Sequence, residues 1–378
     1  MTHVVGSPGW RWRLRFLAYG LSLVLLAAAS AELTARIQDW LVDGTALTGR
    51  PDSDRDLFVQ DANGRRGRPN GHYKKWVLND FGFRSPATTL LPQPRTTRVI
   101  VLGASESFGL YESPGHEFPA QLGGILEERG SYEVINAALT GLTLRSSRSY
   151  WDHWVSRFHP AIVVIYPSPL FSLNEGAGAR LASQPAPGQE QANADTLRSL
   201  IGASRLLDRA RDRFDVPDAI QRWRDERTIQ AATHDKPADW FYSVPPRGLI
   251  DQYVADLDLL TRAIATNGAR PVVLTHASRV PDPPRPEDED WLSRARVNVP
   301  RAMPHVIGQF ETLTNEAIRD WGARSGVQIV DVERALRGRS ELFGDLIHFN
   351  DDSAGAIARL IADAISGSAQ ERQHQTEH

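Results

Sequence analysis

The chain has 378 residues, with 43 Lys plus Arg against 46 Asp plus Glu and a formal net charge of -3. That is enough chain for one large or two modest cores, and the charge balance offers no electrostatic footprint for nucleic acid. Cysteine is absent, which excludes disulfides, thiol catalysis and cysteine-ligated metal, and positive charge is almost all arginine, with Lys74, Lys75 and Lys236 the only lysines.

At the N-terminus Arg11, Arg13 and Arg15 precede an apolar stretch, 16–31, closed by Glu32. As a helix it spans about 24 Å, a little short of a bilayer core of roughly 30 Å. Trp10, Trp12 and snorkelling arginines extend it. Residues 1–15 therefore read as a basic cytoplasmic segment, and 16–44 as a signal anchor whose helical pattern continues through Leu33, Ile37 and Leu41. The alternative is a cleaved signal peptide, since Ala29-Ser30-Ala31 fits a small-x-small cleavage site. Either reading puts the body of the chain outside the cytoplasm, in the periplasm or at the cell surface, or secreted if cleaved.

Residues 45–98, rich in Gly, Pro, Asp and Arg, show little periodicity and are expected to be an irregular linker or N-terminal extension of the domain. The basic run 64–75 within them suits a solvated loop, with lipid headgroups as the second choice. From residue 99 apolar strands alternate with amphipathic helices. Strands are expected at 99–102, 134–135, 161–166, 271–275 and 327–330. Helices are expected from Phe118 to Leu126, through Leu249, Tyr253, Leu257, Leu260 and Ile264, from Phe310 to Trp321, and from Asp352 to Ile365. The pattern predicts an α/β three-layer sandwich with a central parallel sheet of about five strands over 99–366. A helical insert near 176–248 interrupts it. Within that insert 176–194 is low in complexity, and the arginine-rich 195–223 reads as a helix packing over the active edge of the sheet. The proline-rich, acidic 279–290 lies where a lid would. The tail, 367–378, is polar and expected to be disordered.

Two short motifs carry chemistry. Gly103-Ala104-Ser105-Glu106-Ser107 follows the first strand, and Asp345-Leu346-Ile347-His348 precedes the last helix. A serine hydroxyl is a weak nucleophile until an imidazole takes its proton, and a carboxylate fixes that imidazole's tautomer. Asp345 and His348, three residues apart, can share one side of a turn. Ser105 stands at the carboxyl end of a strand, where sites form in parallel sheets. Each motif alone has a plain structural reading, a tight strand-to-helix turn and a histidine at a helix start. Together they supply nucleophile, base and acid. Trp151, Trp154 and Tyr166 divide between a sugar-binding surface and simple core.

Over roughly 76–366 the order of these pieces resembles the SGNH (GDSL-type) hydrolase superfamily. Gly103-Ala104-Ser105 matches its nucleophile block and Asp345/His348 its Asp-x-x-His block. The glycine block matches Asn136-Ala137-Ala138-Leu139-Thr140-Gly141. Asn79-Asp80-Phe81-Gly82-Phe83-Arg84 and Phe118-Pro119-Ala120-Gln121-Leu122 resemble bacterial members anchored by one N-terminal helix. The resemblance implies an SGNH/flavodoxin-like fold and a triad of Ser105, His348 and Asp345. It also implies oxyanion donors at the backbone N–H groups of Ser105 and Gly141. Two features depart from the pattern. Ala104 replaces the family's Asp, and Pro167-Ser168-Pro169-Leu170-Phe171 stands where Gly-x-Asn-Asp, with its oxyanion-binding Asn, is expected. Asn174, His276 and Ser168 are the candidate substitutes.

The implied activity is that of a serine esterase or O-acyltransferase needing no metal or organic cofactor. Its substrate would be an acylated carbohydrate or other ester, with O-acetyl groups on cell-envelope or exported polysaccharide foremost, and its membrane contact would be the N-terminal helix. The rival reading is a non-catalytic envelope protein that keeps the fold and binds glycan or a secretion partner. An α/β-hydrolase elbow fits less well, because Ser107 occupies the place of its last glycine.

Overall fold

A computed structural model describes residues 10–43, 47–48, 54–174, 204–206, 209 and 218–376. The chain divides into two compact units, one of residues 1–53 and 187–220 and one of 54–186 and 221–378.

In the first unit, α1 (Trp10–Asp43) is a continuous helix, and its stretch Trp12–Leu41 is long and apolar enough to cross a membrane. Its C-terminal part carries acids that hold the described residues of the arginine-rich insert. The Glu32 carboxylate accepts the Ser204 hydroxyl (2.8 Å) and the backbone N–H groups of Arg205 (3.0 Å) and Leu206 (2.9 Å). Asp39 accepts the guanidinium groups of Arg205 (2.8 Å) and Arg209. These residues of the insert pack on α1, which supplies their counter-charges. The segment 176–194 lies outside the described residues, as does most of 195–217.

The second unit begins earlier than the expected boundary at residue 99. Residues 54–98 form two antiparallel hairpins, β1 (Phe58–Asp61) with β2 (Gly64–Gly67) and β3 (His72–Tyr73) with β4 (Trp76–Val77). Leu57, Phe58, Leu78 and Phe83 are buried in the main core, so these residues pack as an N-terminal extension of the domain. Two- and four-residue strands are too short to show a period of two.

The central sheet follows. β5 (Thr97–Gly103) leads through a one-turn helix, α2 (Ser105–Phe108), and α3 (Phe118–Arg129) to β6 (Tyr132–Asn136). Then come α4 (Leu144–Tyr150) and β7 (Ile162–Tyr166). After α5 (Asp218–Thr233) and α6 (Arg247–Thr266) the chain enters β8 (Arg270–Leu274). Next are α7 (Glu289–Ala295), α8 (Pro304–Ser325), β9 (Gln328–Val330), α9 (Val332–Leu336) and α10 (Asp351–Thr376). All five strands are parallel, in the order β6-β5-β7-β8-β9. This is the α/β sandwich that the apolar runs predict.

Alternate strand residues go to opposite faces. Ile100, Leu102, Val163, Ile165 and Val273 face the core shared with α4, α6 and α8, where Trp151 is also buried. Val99, Val101, Val164, Tyr166, Val272 and Leu274 face α3 and α10. Trp151 and Tyr166 are thus core and not a sugar surface. α10 runs past 366 to Thr376.

The chain leaves β5 toward one edge of the sheet and returns to β7 on the other side of β5. Connections therefore diverge at the carboxyl ends of β5 and β7, and a crevice opens there.

Candidate active site

Ser105 sits two residues beyond β5, at the first position of α2, and is 6 % exposed. The turn needs Gly103: a Cβ there would meet the Ser107 hydroxyl at 2.2 Å and the Tyr166 carbonyl oxygen at 3.0 Å. On the opposite wall, Asp345 Oδ1 accepts the backbone N–H groups of Ile347 (3.0 Å) and His348 (2.8 Å). That local turn folds the imidazole back over the carboxylate. Asn350, two residues after His348, accepts the Ser353 N–H at Oδ1 (3.1 Å) and starts α10.

The structure brings the three predicted side chains into one line. Ser105 Oγ and His348 Nε2 are 2.8 Å apart, and His348 Nδ1 and Asp345 Oδ2 are 2.7 Å apart. Burial by itself disfavours the imidazolium. The hydrogen bond to Asp345 and the charges of Glu106, Asp345 and Glu112 outweigh it and raise the His348 pKa above its ordinary value. Burial likewise disfavours the Asp345 carboxylate, but its bonds to His348 and to the backbone lower its pKa. The arrangement can take a proton from a serine and stabilise the imidazolium that results.

Gly141 follows a loop that runs alongside the end of β5. The N–H groups of Ala137 and Leu139 donate to the carbonyls of Val101 (3.0 Å) and Gly103 (3.1 Å), and Gly141 has φ of +75°, the left-handed region that favours glycine. Arg65, from β2, donates to the Thr140 carbonyl at 2.7 Å. A trans peptide points its C=O and N–H in opposite directions. The Gly141 N–H is therefore turned away from Arg65. Asn136 closes the other side, its amide donating to the Ser107 carbonyl at 3.0 Å.

The three candidate oxyanion substitutes fare differently. Asn174 donates its amide to the Asn298 carbonyl (2.8 Å) and is committed there. His276 is fully buried behind the nucleophile turn, with Nε2 3.2 Å from Glu106 and Nδ1 2.8 Å from Glu311, so neither nitrogen is free for an oxyanion. Ser168 is buried at the end of β7, and its hydroxyl faces the Glu106 carboxylate without a fully aligned hydrogen bond.

Glu106, Glu311 and Arg65 were not among the predicted residues. The signal for Glu311 was present in the expected helix. Ile307, Glu311, Thr314 and Ile318 are buried on one face of α8, and an acid on an apolar stripe needs a partner. Among the described residues no group of His, Asp and Glu is arranged to hold a metal ion.

No protein-family model and no curated protein matches the sequence. Solved structures do. An acetylxylan esterase from Geobacillus stearothermophilus is similar at 13% identity, with 71% of this chain and 94% of that one covered and a TM-score of 0.41. The psychrotrophic esterase EstA from Pseudoalteromonas sp. is similar at 11% identity, with 72% and 99% covered and a TM-score of 0.41. A GDSL-like lipase from Bacteroides thetaiotaomicron is similar at 11% identity, with 73% and 91% covered and a TM-score of 0.39.

Proposed function

We propose that the chain is a serine esterase, or an acyltransferase using the same site, with Ser105 as nucleophile, His348 as base and Asp345 as its partner. The observation that carries this reading is the unbroken Ser105–His348–Asp345 line at 2.8 and 2.7 Å. Ser105 Oγ attacks the ester carbonyl as its proton passes to His348 Nε2. The tetrahedral intermediate collapses, the imidazolium returns the proton to the leaving alkoxide, and an acyl-serine remains. Water or an acceptor hydroxyl, deprotonated by His348, then takes the acyl group. The N–H groups of Ser105 and Gly141 receive the oxyanion. The three candidates for the missing Asn all face other groups, Asn174 the Asn298 carbonyl, His276 Glu106 and Glu311, and Ser168 the Glu106 carboxylate. The two backbone N–H groups therefore carry the oxyanion in this reading.

A carbohydrate ester fits the mouth of the site. Tyr111 is 53 % exposed, and its ring lies 5.7 Å from the His348 ring between centroids. An open aromatic face beside the base suits the apolar face of a sugar whose O-acyl group reaches Ser105. Placement outside the cytoplasm, anchored by residues 12–31 of α1, is part of the same reading. Those 20 residues span about 30 Å, the thickness of a bilayer core, before Glu32 and Asp39 take up their polar partners.

A fluorophosphonate probe tests the chemistry. Wild-type protein is expected to be labelled and Ser105→Ala not, with acetyl-ester turnover lost in His348→Ala. Equal labelling of Ser105→Ala and wild type would sink the esterase reading. Absence of label and turnover in both would favour the binding protein.

A further inference from the structure

Glu106 is the residue after the nucleophile, 1 % exposed and hence among the most deeply buried acids in the chain. Its carboxylate holds two neighbours. Oε2 accepts the Ser105 hydroxyl at 3.2 Å, and Oε1 lies 3.2 Å from His276 Nε2. The chain of contacts continues inward. His276 Nδ1 is 2.8 Å from Glu311 Oε1, and Glu311 Oε2 accepts the Ser278 hydroxyl at 2.7 Å. The backbone of His276 is clamped by Asn315, whose side chain accepts its N–H (2.8 Å) and donates to its carbonyl (2.8 Å). The triad uses none of this.

An acid, an imidazole and a second acid removed from water together form a costly arrangement unless each charge is paired. Burial alone would neutralise Glu106. The hydrogen bond and charge of His276, the charge of His348 and the Ser168 hydroxyl reverse this and hold it ionised, with a pKa lowered to about 2. Burial would also neutralise His276, but Glu106 and Glu311 keep it an imidazolium, with a pKa raised to about 9. Tyr166 and Tyr253 also sense the Glu106 charge, and both are pushed to higher pKa chiefly by burial. Around His348 the facing groups are Asp345 from its own turn, Glu106 from α2, and Tyr111 and Glu112 from the segment between α2 and α3.

We propose that Glu106, seated on the His276–Glu311 pair, is a second carboxylate of the acyl-transfer site. It anchors the Ser105 hydroxyl on the side away from Asp345 and supplies a fixed negative charge that strengthens His348 as a base. Glu106 takes no proton itself, because a carboxylate held ionised by a neighbouring imidazolium is a poor base. When His348 is charged, its Nε2–H donates to Ser105 Oγ and the hydroxyl proton points to Glu106. When His348 is neutral, the same hydroxyl turns to Nε2 with Oγ already in place. In the addition step of acylation the Oγ–H bond breaks, Nε2–H and Oγ–C bonds form, and the carbonyl pair moves to oxygen. The new imidazolium then lies between Asp345 and Glu106. On collapse the bond to the leaving alkoxide breaks and that oxygen takes the Nε2 proton.

This inference rests on the reading of Ser105 as nucleophile, and the experiment separates the two. The pH profile of kcat/KM for p-nitrophenyl acetate and the pH dependence of fluorophosphonate labelling are measured for wild type, Ser105→Ala, Glu106→Gln and Glu106→Asp. Loss of label in Ser105→Ala is the control for the nucleophile; label retained there overturns both readings. Glu106→Gln is expected to move the acidic limb down by about one pH unit, the effect of removing a nearby opposite charge from the base. Glu106→Asp keeps the charge but withdraws it from Oγ. Its limb is expected to stay near that of wild type while kcat and the labelling rate fall and KM holds. A limb unmoved in Glu106→Gln, with Ser105→Ala unlabelled, overturns this proposal alone. If Glu106→Gln does not fold, labelling of Glu106→Asp at the wild-type rate overturns it instead.

Discussion

Ser105 Oγ and His348 Nε2 stand 2.8 Å apart although 243 residues separate them in the chain. The sheet closes that gap, since β5 ends at Gly103 and the turn before α10 folds over the same edge. Asp345 makes the pair useful by accepting from His348 Nδ1, so that Nε2 faces the serine as an acceptor. Asp345→Asn keeps the shape but offers an amide that can favour the wrong tautomer. The expected loss in kcat is about 10³–10⁴-fold with KM little changed. Steady-state kinetics on a small acetyl ester checks this, and a loss of less than tenfold would remove Asp345 from the relay.

The pH dependence follows from the same turn. His348 must be neutral to accept the serine proton, and its pKa is raised above the ordinary imidazole value of about 6.5. Activity is therefore expected to rise with pH through a midpoint above that value, because the protonated, inactive form persists further up the scale. The profile of kcat/KM reports the free enzyme and is the measurement to make. A midpoint well below 6.5 contradicts the assignment of His348 as base.

Arg65 offers a test of the oxyanion hole from outside the site. Its guanidinium holds the Thr140 carbonyl at 2.7 Å and packs over the Phe58 ring with Cζ 3.9 Å from the centroid. Arg65→Ala frees the 140–141 peptide to rotate, so that the Gly141 N–H no longer has one fixed direction. Losing one oxyanion donor costs on the order of 10²–10³ in rate. Arg65→Ala is expected to fall short of that, with kcat reduced roughly tenfold or more and KM nearly constant. A raised KM at unchanged kcat would show that Arg65 acts on substrate binding instead.

What could be read in the sequence, and what could not, follows from how local each signal is. Parallel strands buried on both faces appear as unbroken apolar runs, so β5, β7 and β8 were visible, and Asp345 with His348 sits within one turn. The hairpins at 58–77 were hidden because their strands are only two to four residues long, and one of them, β2, is Gly and Arg alone. Their burial comes from side chains such as Leu57 and Phe83 reaching a distant core. Glu106 carries no local signal in the sequence beyond standing next to Ser105. Its meaning depends on His276 and Glu311, which reach it only through the packing of β8 and α8. Arg65 belonged to a basic run that composition alone assigns to solvent.

The buried charges make a prediction about stability with a definite sign. His276 has a folded pKa raised to about 9, so its contribution is full below its ordinary value of about 6.5 and is lost as pH climbs through 9. Glu106 runs the other way. Lowered to about 2, it contributes fully above its ordinary value of about 4.5 and loses that contribution as pH falls toward 2. The pair is thus fully effective between about 4.5 and 6.5. Its stabilisation declines from there toward alkaline pH, well before the tyrosines ionise. His276→Ala leaves Glu106 and Glu311 buried without their shared cation and is expected to cost about 3–5 kcal/mol. His276→Gln, which retains an amide donor for one carboxylate, should cost less. Denaturant titrations from pH 5 to pH 9 separate this network from the rest of the fold. Wild type should lose stability relative to His276→Gln as pH rises across that range, because only wild type has the imidazolium to lose. A difference between the two that stays constant from pH 5 to pH 9 would mean that folding leaves the His276 pKa unshifted, and would overturn the buried imidazolium.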